Sequence, residues 1–108
     1  MSNDQRGRRG HKDLMVCRQV LDALTYALAE LDDPMIDDLV LACVTPAPNA
    51  SRVLVTLVPS HDGIDSAEAL ERLREFEPDL REEVAAEVSR RRVPELVFRI
   101  GSPSDMPG

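Results

Sequence analysis

The residues whose chemistry stands out in this sequence are three consecutive arginines, Arg90, Arg91 and Arg92, which precede Pro94. A guanidinium group presents a planar fork of N–H donors that matches the oxygens of a phosphate group. A basic run also complements the partial negative charge at the C-terminal end of a helix, where it can stay solvated. The pattern therefore leaves two interpretations open, contact with a nucleic-acid backbone and a solvated helix end.

Further basic residues occur near the N-terminus and at the start of a predicted strand. Residues 1–11 are polar and punctuated by glycine, which predicts a mobile arm that either gains order on an RNA or serves only as a solubilising tail. Arg18 follows on the first predicted helix and Arg52 begins a predicted strand, and each alone is typical of a surface charge. The candidate RNA-binding residues are Arg8, Arg9, Lys12, Arg18, Arg52, Arg90, Arg91 and Arg92.

The charge of the chain is distributed unevenly along its length. The formal net charge is −7, yet residues 1–18 carry five basic and two acidic side chains, whereas residues 19–51 carry six acidic and no basic ones. A net acidic chain gains no long-range attraction to nucleic acid, because the phosphate backbone has the same sign. Any contact with RNA must therefore come from a local basic face, which the N-terminal arm and the arginine cluster form in the folded chain under this hypothesis.

Neither catalysis nor metal binding is predicted, and no cofactor is expected. The two histidines, His11 and His61, have no second cluster of ligands at a defined spacing, and no nucleophile with an activating base is visible. Cys17 and Cys43 lie inside apolar patterns and are interpreted as buried small hydrophobic residues. An acidic group is interpreted as a helix stop and turn rather than an ion site; its members are Asp32, Asp33, Asp37 and Asp38.

Hydrophobic periodicity predicts the elements that position these residues, in the order helix, strand, strand, helix, helix, strand. The predicted bounds are about 12–31, 39–45, 51–58, 66–75, 78 to the arginine cluster, and 95–100. Pro34 and Pro78 are expected to end helices, because proline lacks a backbone N–H and restricts the residue before it. Asp65 is the predicted cap of the helix that opens at Ser66. The short loop between the first two strands predicts an antiparallel hairpin.

Composition and length place these elements in one α+β domain. The chain has 108 residues, of which 43% are hydrophobic and 31% charged, as in an ordinary globular protein. The predicted domain covers residues 12–100, between the arm and a frayed tail of residues 101–108. One three-stranded sheet, covered by helices on one face, accounts for all the apolar stripes. No apolar segment is long enough to span a membrane and no secretory signal is visible, which favours the cytoplasm.

Four stretches in this order resemble the ribosome-binding factor A family. The first helix ends in Leu-Asp-Asp-Pro at residues 31–34, and a strand follows at residues 39–45. Residues 49–56, Asn-Ala-Ser-Arg-Val-Leu-Val-Thr, are similar to the second strand of the family. Residues 90–98, Arg-Arg-Arg-Val-Pro-Glu-Leu-Val-Phe, are similar to its R-x-R-x-x-P-E-L-x-F segment. The resemblance covers about residues 12–100.

The resemblance implies a type II KH-like fold and a bacterial assembly factor that is not an enzyme. Such a factor binds the small ribosomal subunit, acts on maturation of its rRNA near the 5′ end, and is linked to growth in the cold. The implied partners are the small subunit, its rRNA and ribosomal proteins, and a monomer is expected. The family usually has an Ala-x-Gly kink between its last two helices, where this chain has Val84-Ala85-Ala86. No Gly-x-x-Gly loop is present, so we expect contacts with backbone and shape rather than with base sequence.

A second hypothesis keeps the same fold but gives it a different partner. The acid-rich segment from Asp22 to Asp38 would dock a basic protein, and the chain would be a non-catalytic protein–protein interaction module. A small-molecule-binding α/β domain is a third and weaker hypothesis. Reversing the charge of the arginine cluster distinguishes the first two, because only the RNA-directed factor depends on it.

Overall fold

The structure is a computed structural model that describes residues 2–47, 51–88 and 93–106, with side chains from Leu14 onwards. Its elements follow the chain as helix α1 (Ser2–Glu30), short helix α2 (Pro34–Asp37), strand β1 (Leu39–Pro46), strand β2 (Arg52–Pro59), helix α3 (Ser66–Glu87) and strand β3 (Glu95–Ile100). A turn of 3-10 helix at Pro103–Asp105 follows β3. The strand bounds agree with the predicted ones to within one residue at each end.

The three strands form one mixed sheet in the order β1-β2-β3. β1 and β2 are antiparallel, with Leu41 opposite Leu57, and their register shifts at a bulge between Leu41 and Cys43. β3 is parallel to β2 and places Glu95 opposite Arg52. The α+β class, the three-stranded sheet and the antiparallel hairpin are therefore confirmed.

The core lies between one face of the sheet and the two long helices. The side chains on this face of the sheet alternate with those on the other face, as the period of two along a strand requires. The buried apolar residues of this cluster include Cys17, Val20, Leu24 and Ala27 of α1, Leu73, Leu80 and Val84 of α3, and Val53, Val55, Leu57, Leu96 and Phe98 of the sheet. Burial of each large aliphatic side chain stabilises the fold by roughly 1.5–3 kcal/mol. Cys17 is buried as predicted, whereas Cys43 is only half-buried.

The first helix begins earlier than the sequence predicts. We expected it to start at about Lys12, and α1 starts at Ser2. The predicted arm has no apolar stripe, but extending an existing helix needs none, because propagation is far easier than nucleation and Arg and Gln are good helix formers. The side chains of residues 2–13 lie outside the described part of the structure, and the mobility of the arm stays a prediction.

The predicted break at Pro78 is wrong, because α3 continues through it from Ser66 to Glu87. Proline in a helix removes the hydrogen bond to the residue four positions earlier and costs about 3 kcal/mol relative to alanine. Leu73 and Leu80 flank Pro78 and both have no exposed surface. Anchoring these two leucines in the same core outweighs the local cost, so two predicted helices form one. Asp65 caps this helix as predicted, accepting hydrogen bonds from the amides of Ala67 and Glu68.

Replacing Pro78 by alanine is expected to raise the free energy of unfolding by about 1 kcal/mol. Pro78 is exposed, so its ring contributes little packing, and alanine restores a backbone N–H that can donate to the Arg74 carbonyl. Greater freedom of the unfolded chain offsets part of the gain. Urea unfolding of the variant measures the change, and the matched control is Pro103→Ala, outside α3. A lower stability of Pro78→Ala would show that the ring stabilises this helix.

The segment after β3 is more structured than the frayed tail that its Gly, Ser and Pro content predicts. The Gly101 N–H donates to the Leu57 carbonyl at 2.7 Å, which extends the contact with β2. The Asp105 carboxylate accepts a hydrogen bond from the Ser102 amide at 2.8 Å and pairs with Arg99 at 3.3 Å. The Ser102 amide is the main cause that lowers the pKa of Asp105. Residues 107–108 lie outside the described part of the chain.

Candidate nucleic-acid interface

One end of the sheet contains Arg52, one of the residues that the sequence analysis associated with RNA. There β1 ends, and both β2 and β3 begin. The Ala47 N–H donates to the Arg52 carbonyl at 2.8 Å, and the Glu95 N–H donates to the Ser51 carbonyl at 3.0 Å. These bonds hold the three strand ends side by side. We call this region the hairpin end.

Arg52 lies at the hairpin end and has an acidic partner that the sequence analysis missed. Its Nε donates to Glu95 Oε2 at 3.0 Å across the parallel pair of β2 and β3. Both side chains are about half exposed, so the ion pair is screened by water and contributes little to stability. A carboxylate held this weakly can be exchanged for a phosphate oxygen. Arg52 is thus a partly neutralised cation on the surface.

Arg18 lies towards the same end of the molecule. Asp22 of α1 and Glu87 of α3 line one small cavity, and Ala27 and Leu80 line another. The two helices are therefore antiparallel, and the stretch of α1 before Asp22 lies beside the last turn of α3. Arg18 is exposed there, one helical turn before Asp22, and makes no ion pair with another described residue.

The other predicted RNA-binding side chains lie outside the described part of the structure. These are Arg8, Arg9 and Lys12 on α1, and Arg90, Arg91 and Arg92 between α3 and β3. The described residues on either side of the arginine cluster are Val88, which is buried, and Val93, which packs against the core. The cluster thus joins two elements that meet at the hairpin end. Its contacts stay a prediction.

The solvent-exposed side of α3 is predominantly acidic. Acidic residues outnumber basic ones on this helix, and its basic residues are Arg72, Arg74 and Arg81. The exposed acidic side chains include Glu68, Glu71, Glu75, Asp79, Glu82, Glu83 and Glu87. A phosphate backbone is repelled by such a surface. Electrostatics therefore disfavours RNA on the exposed face of α3.

Asp33, at the opposite end of the sheet, holds α2 and α3 together. Its Oδ1 accepts hydrogen bonds from the amides of Met35 and Ile36, which caps the short helix α2. Its Oδ2 accepts from Arg72 at 2.8 Å (Nε) and 2.7 Å (Nη2). The side chain is only 6% exposed. The hydrogen bond from Arg72 is the main cause that lowers the pKa of Asp33, against burial, which raises it.

The Asp-Pro motif of the first helix end therefore has a structural role. The acidic group was predicted to be a helix stop and turn, and Asp33 does cap the turn after α1. Arg72 is the partner that the sequence analysis missed; it also pairs with Glu75 at 3.0 Å and lies 5.4 Å from the centre of the Phe76 ring.

Within the described part of the chain, no group of three or more His, Cys, Asp or Glu side chains is placed to hold a metal ion.

His61 lies beside the same end of the sheet and has hydrogen-bonding partners of its own. Its Nδ1 accepts a hydrogen bond from the Gly63 amide at 3.1 Å, and its Nε2 lies 3.5 Å from the Asp38 carboxylate. These contacts order the loop between β2 and α3. They account for the histidine in the His-Asp-Gly-Ile-Asp stretch without a bound ion.

Two solved structures share this fold. The crystal structure of ribosome-binding factor A from Thermus thermophilus has a TM-score of 0.70 and 25% sequence identity, over 82% of this chain and 94% of that one. The solution NMR structure of a putative ribosome binding factor A from Thermotoga maritima has a TM-score of 0.71 and 20% identity, over 83% of this chain and 87% of that one. The resemblance to this family that the motifs predict is confirmed by the fold.

Comparisons by sequence alone find no relative. No protein-family model matches the chain, and no curated protein is similar to it. None of the described helices is both long and apolar enough to cross a lipid bilayer.

Proposed function

We propose that this chain, which has the fold of ribosome-binding factor A, is a non-catalytic assembly factor that binds the small ribosomal subunit in the cytoplasm and assists maturation of its rRNA. The observation that carries the proposal is the structural match to the Thermus thermophilus protein, which spans 94% of that chain. The four motifs in matching order support it independently of the fold. No cofactor takes part in this function.

The hairpin end is the proposed RNA-binding surface. Arg18 and Arg52 are described there, and the arginine cluster of residues 90–92 connects two elements that end there. Arg8, Arg9 and Lys12 lie further along α1 in the same direction. Guanidinium and ammonium groups contact phosphate oxygens without reading the bases. The acidic surface of α3 limits attachment to other RNA by repulsion.

The proposal predicts binding that is specific for small subunits and steeply dependent on salt. Four to six phosphate contacts would give a slope of roughly −3 to −5 when the logarithm of affinity is plotted against that of salt concentration. A fourfold rise in salt should therefore lower affinity by roughly 60-fold to 1,000-fold. Co-sedimentation of the full chain with purified small and large subunits, over a range of potassium chloride concentrations, measures both properties. Equal binding to large subunits, or no salt dependence, would contradict the proposal.

Cells that lack the protein provide the corresponding test of rRNA maturation. Sucrose gradients of such cells, grown in the cold, should show free small subunits whose rRNA keeps untrimmed 5′ sequence. Restoring the wild-type chain should restore the normal profile. Normal subunits and normally trimmed rRNA in the absence of the protein would overturn the proposal.

One observation favours the second candidate function, docking of a basic protein. Tyr26 of α1 is 75% exposed and lines a small cavity together with Asp22 and Glu87, so an aromatic ring and two carboxyl-bearing residues line the same cavity. Lysine and arginine side chains are attracted both by carboxylates and by the face of an aromatic ring. Under this candidate, Asp22→Lys abolishes association with the small subunit and charge reversal of the arginine cluster does not.

A further inference from the structure

We propose that the outer edge of β1, with the groove beside it, binds an extended polypeptide segment as an added strand, and that this segment is apolar with a basic residue at one end. Proteins commonly bind extended segments in this way, through backbone hydrogen bonds along a free edge and side chains in adjacent pockets. The proposal goes beyond the function proposed above and does not rest on it. It concerns a protein partner rather than RNA.

β1 is the less protected of the two edges of the described sheet. The strand order places β1 at one edge and β3 at the other. β3 has six residues and carries Glu95 and Arg99, whereas β1 has eight residues and none of them is charged. Charged side chains on an edge strand discourage pairing with another chain. The edge of β1 is therefore the one that accepts a further strand.

The register of the hairpin identifies the backbone groups that face this edge. The Asp38 carbonyl accepts from the Ser60 amide at 2.8 Å, so these two residues are a hydrogen-bonded pair. Such pairs alternate along antiparallel strands, which makes Val40 the next bonded position of β1. The N–H and C=O groups of Leu39 and Leu41 consequently point away from β2. The bulge that follows Leu41 ends this part of the edge.

A groove lies beside these backbone groups. It has a volume of about 390 Å³ and runs between α1, α2 and β1. Most of the side chains that line it are apolar, and Val40 is 40% exposed. The lining residues are Thr25, Leu28, Ala29, Ile36, Asp37, Leu39, Val40 and Leu41. A strand hydrogen-bonded to Leu39 and Leu41 would direct alternate side chains into this groove, since side chains alternate across a strand.

Charge decides between a basic segment and a second copy of this chain. Asp37 is exposed at the end of the groove and makes no ion pair with another described residue. A second copy would bring a further net charge of −7 to a chain that already carries the same charge. Like charges placed opposite one another oppose association. A basic residue on the partner, by contrast, would pair with Asp37.

Ala29 offers a way to close the groove without disturbing the core. It is exposed on α1, so a tryptophan there should fill the groove and leave the fold intact. Ala86 on α3 is also exposed and lies outside the groove, which makes Ala86→Trp the matched control. Thermal unfolding of both variants verifies that they remain folded. The probe is a displayed library of random peptides of about eight residues, a typical strand length, selected on the full wild-type chain.

The selected peptides are expected to be apolar with a basic end. Ala29→Trp should weaken their binding by at least about tenfold, as loss of a central contact typically does, and Ala86→Trp should leave it unchanged. Asp37→Lys should weaken it less. Bound peptide should also slow hydrogen exchange at the amides of Leu39 and Leu41. The proposal is overturned if the library yields no binder, if Ala86→Trp matches Ala29→Trp, or if the free chain dimerises through β1.

Discussion

Replacing Arg90, Arg91 and Arg92 together by glutamate is expected to weaken binding to small ribosomal subunits by at least about a hundredfold at near-physiological salt. Each substitution removes a guanidinium that would contact phosphate and introduces a carboxylate that phosphate repels. The cluster lies between α3 and β3 in the chain, and Glu95 at the start of β3 is opposite Arg52 in the sheet. Co-sedimentation of the purified variant with small subunits measures the loss.

A matched control distinguishes a local basic surface from the net charge of the chain. Arg74 and Arg81 are exposed on α3 and make no ion pair with another described residue. Their double replacement by glutamate changes the net charge as much as replacing Arg91 and Arg92 does. The α3 variant should bind within about threefold of wild type, as expected for charges away from the contact. Equal loss in both double variants would mean that overall charge governs binding.

Replacing Asp33 by alanine is expected to lower the free energy of unfolding by about 2 kcal/mol. The substitution removes the cap of α2 and the carboxylate that accepts two hydrogen bonds from Arg72. Arg72 is nearly half exposed and can return to water, which limits the cost. Asp33→Asn keeps an oxygen for the amides of Met35 and Ile36 but loses the charge. It should destabilise less, and Asp62→Ala in the exposed loop should have almost no effect.

The lowered pKa of Asp33 predicts how this stabilisation depends on pH. A carboxyl group whose pKa is lower in the folded than in the unfolded chain stabilises the fold above its unfolded pKa, about 3.9 for aspartate. This contribution is lost as the pH falls through the folded pKa. Wild type should therefore lose more stability than Asp33→Asn between about pH 5 and pH 2. Urea unfolding across this range measures the difference, and parallel curves would contradict the assigned role of Asp33.

Local patterns were sufficient to predict the strands and the α+β class. The alternation of Val53, Val55 and Leu57 and the cap at Asp65 depend on neighbours in sequence, and the structure contains them where expected. The continuation of α3 through Pro78 depends instead on tertiary packing. Periodicity shows that leucines occur on both sides of the proline, but not that both reach the same core.

Pairs that are distant in sequence could not be predicted in this way. Asp33 and Arg72 are separated by 39 positions, and nothing in the spacing of charges connects them. Arg52 meets Glu95 only because β2 and β3 are parallel in one particular register. The same applies to the candidate interface. The sequence identifies the basic residues, whereas the position of Arg18 near the end of α3 depends on the antiparallel packing of α1 and α3.

Hydrogen exchange of the full chain, with and without purified small subunits, tests the proposed binding surface most directly. Exchange is expected to slow by about tenfold or more at residues 14–20, 51–55 and 93–97, which surround the hairpin end, because amides covered by RNA open less readily. Residues 61–75, at the opposite end of the sheet, should exchange at the same rate in both states. Protection confined to residues 61–75, with none at the hairpin end, would contradict the assignment of the RNA-binding surface.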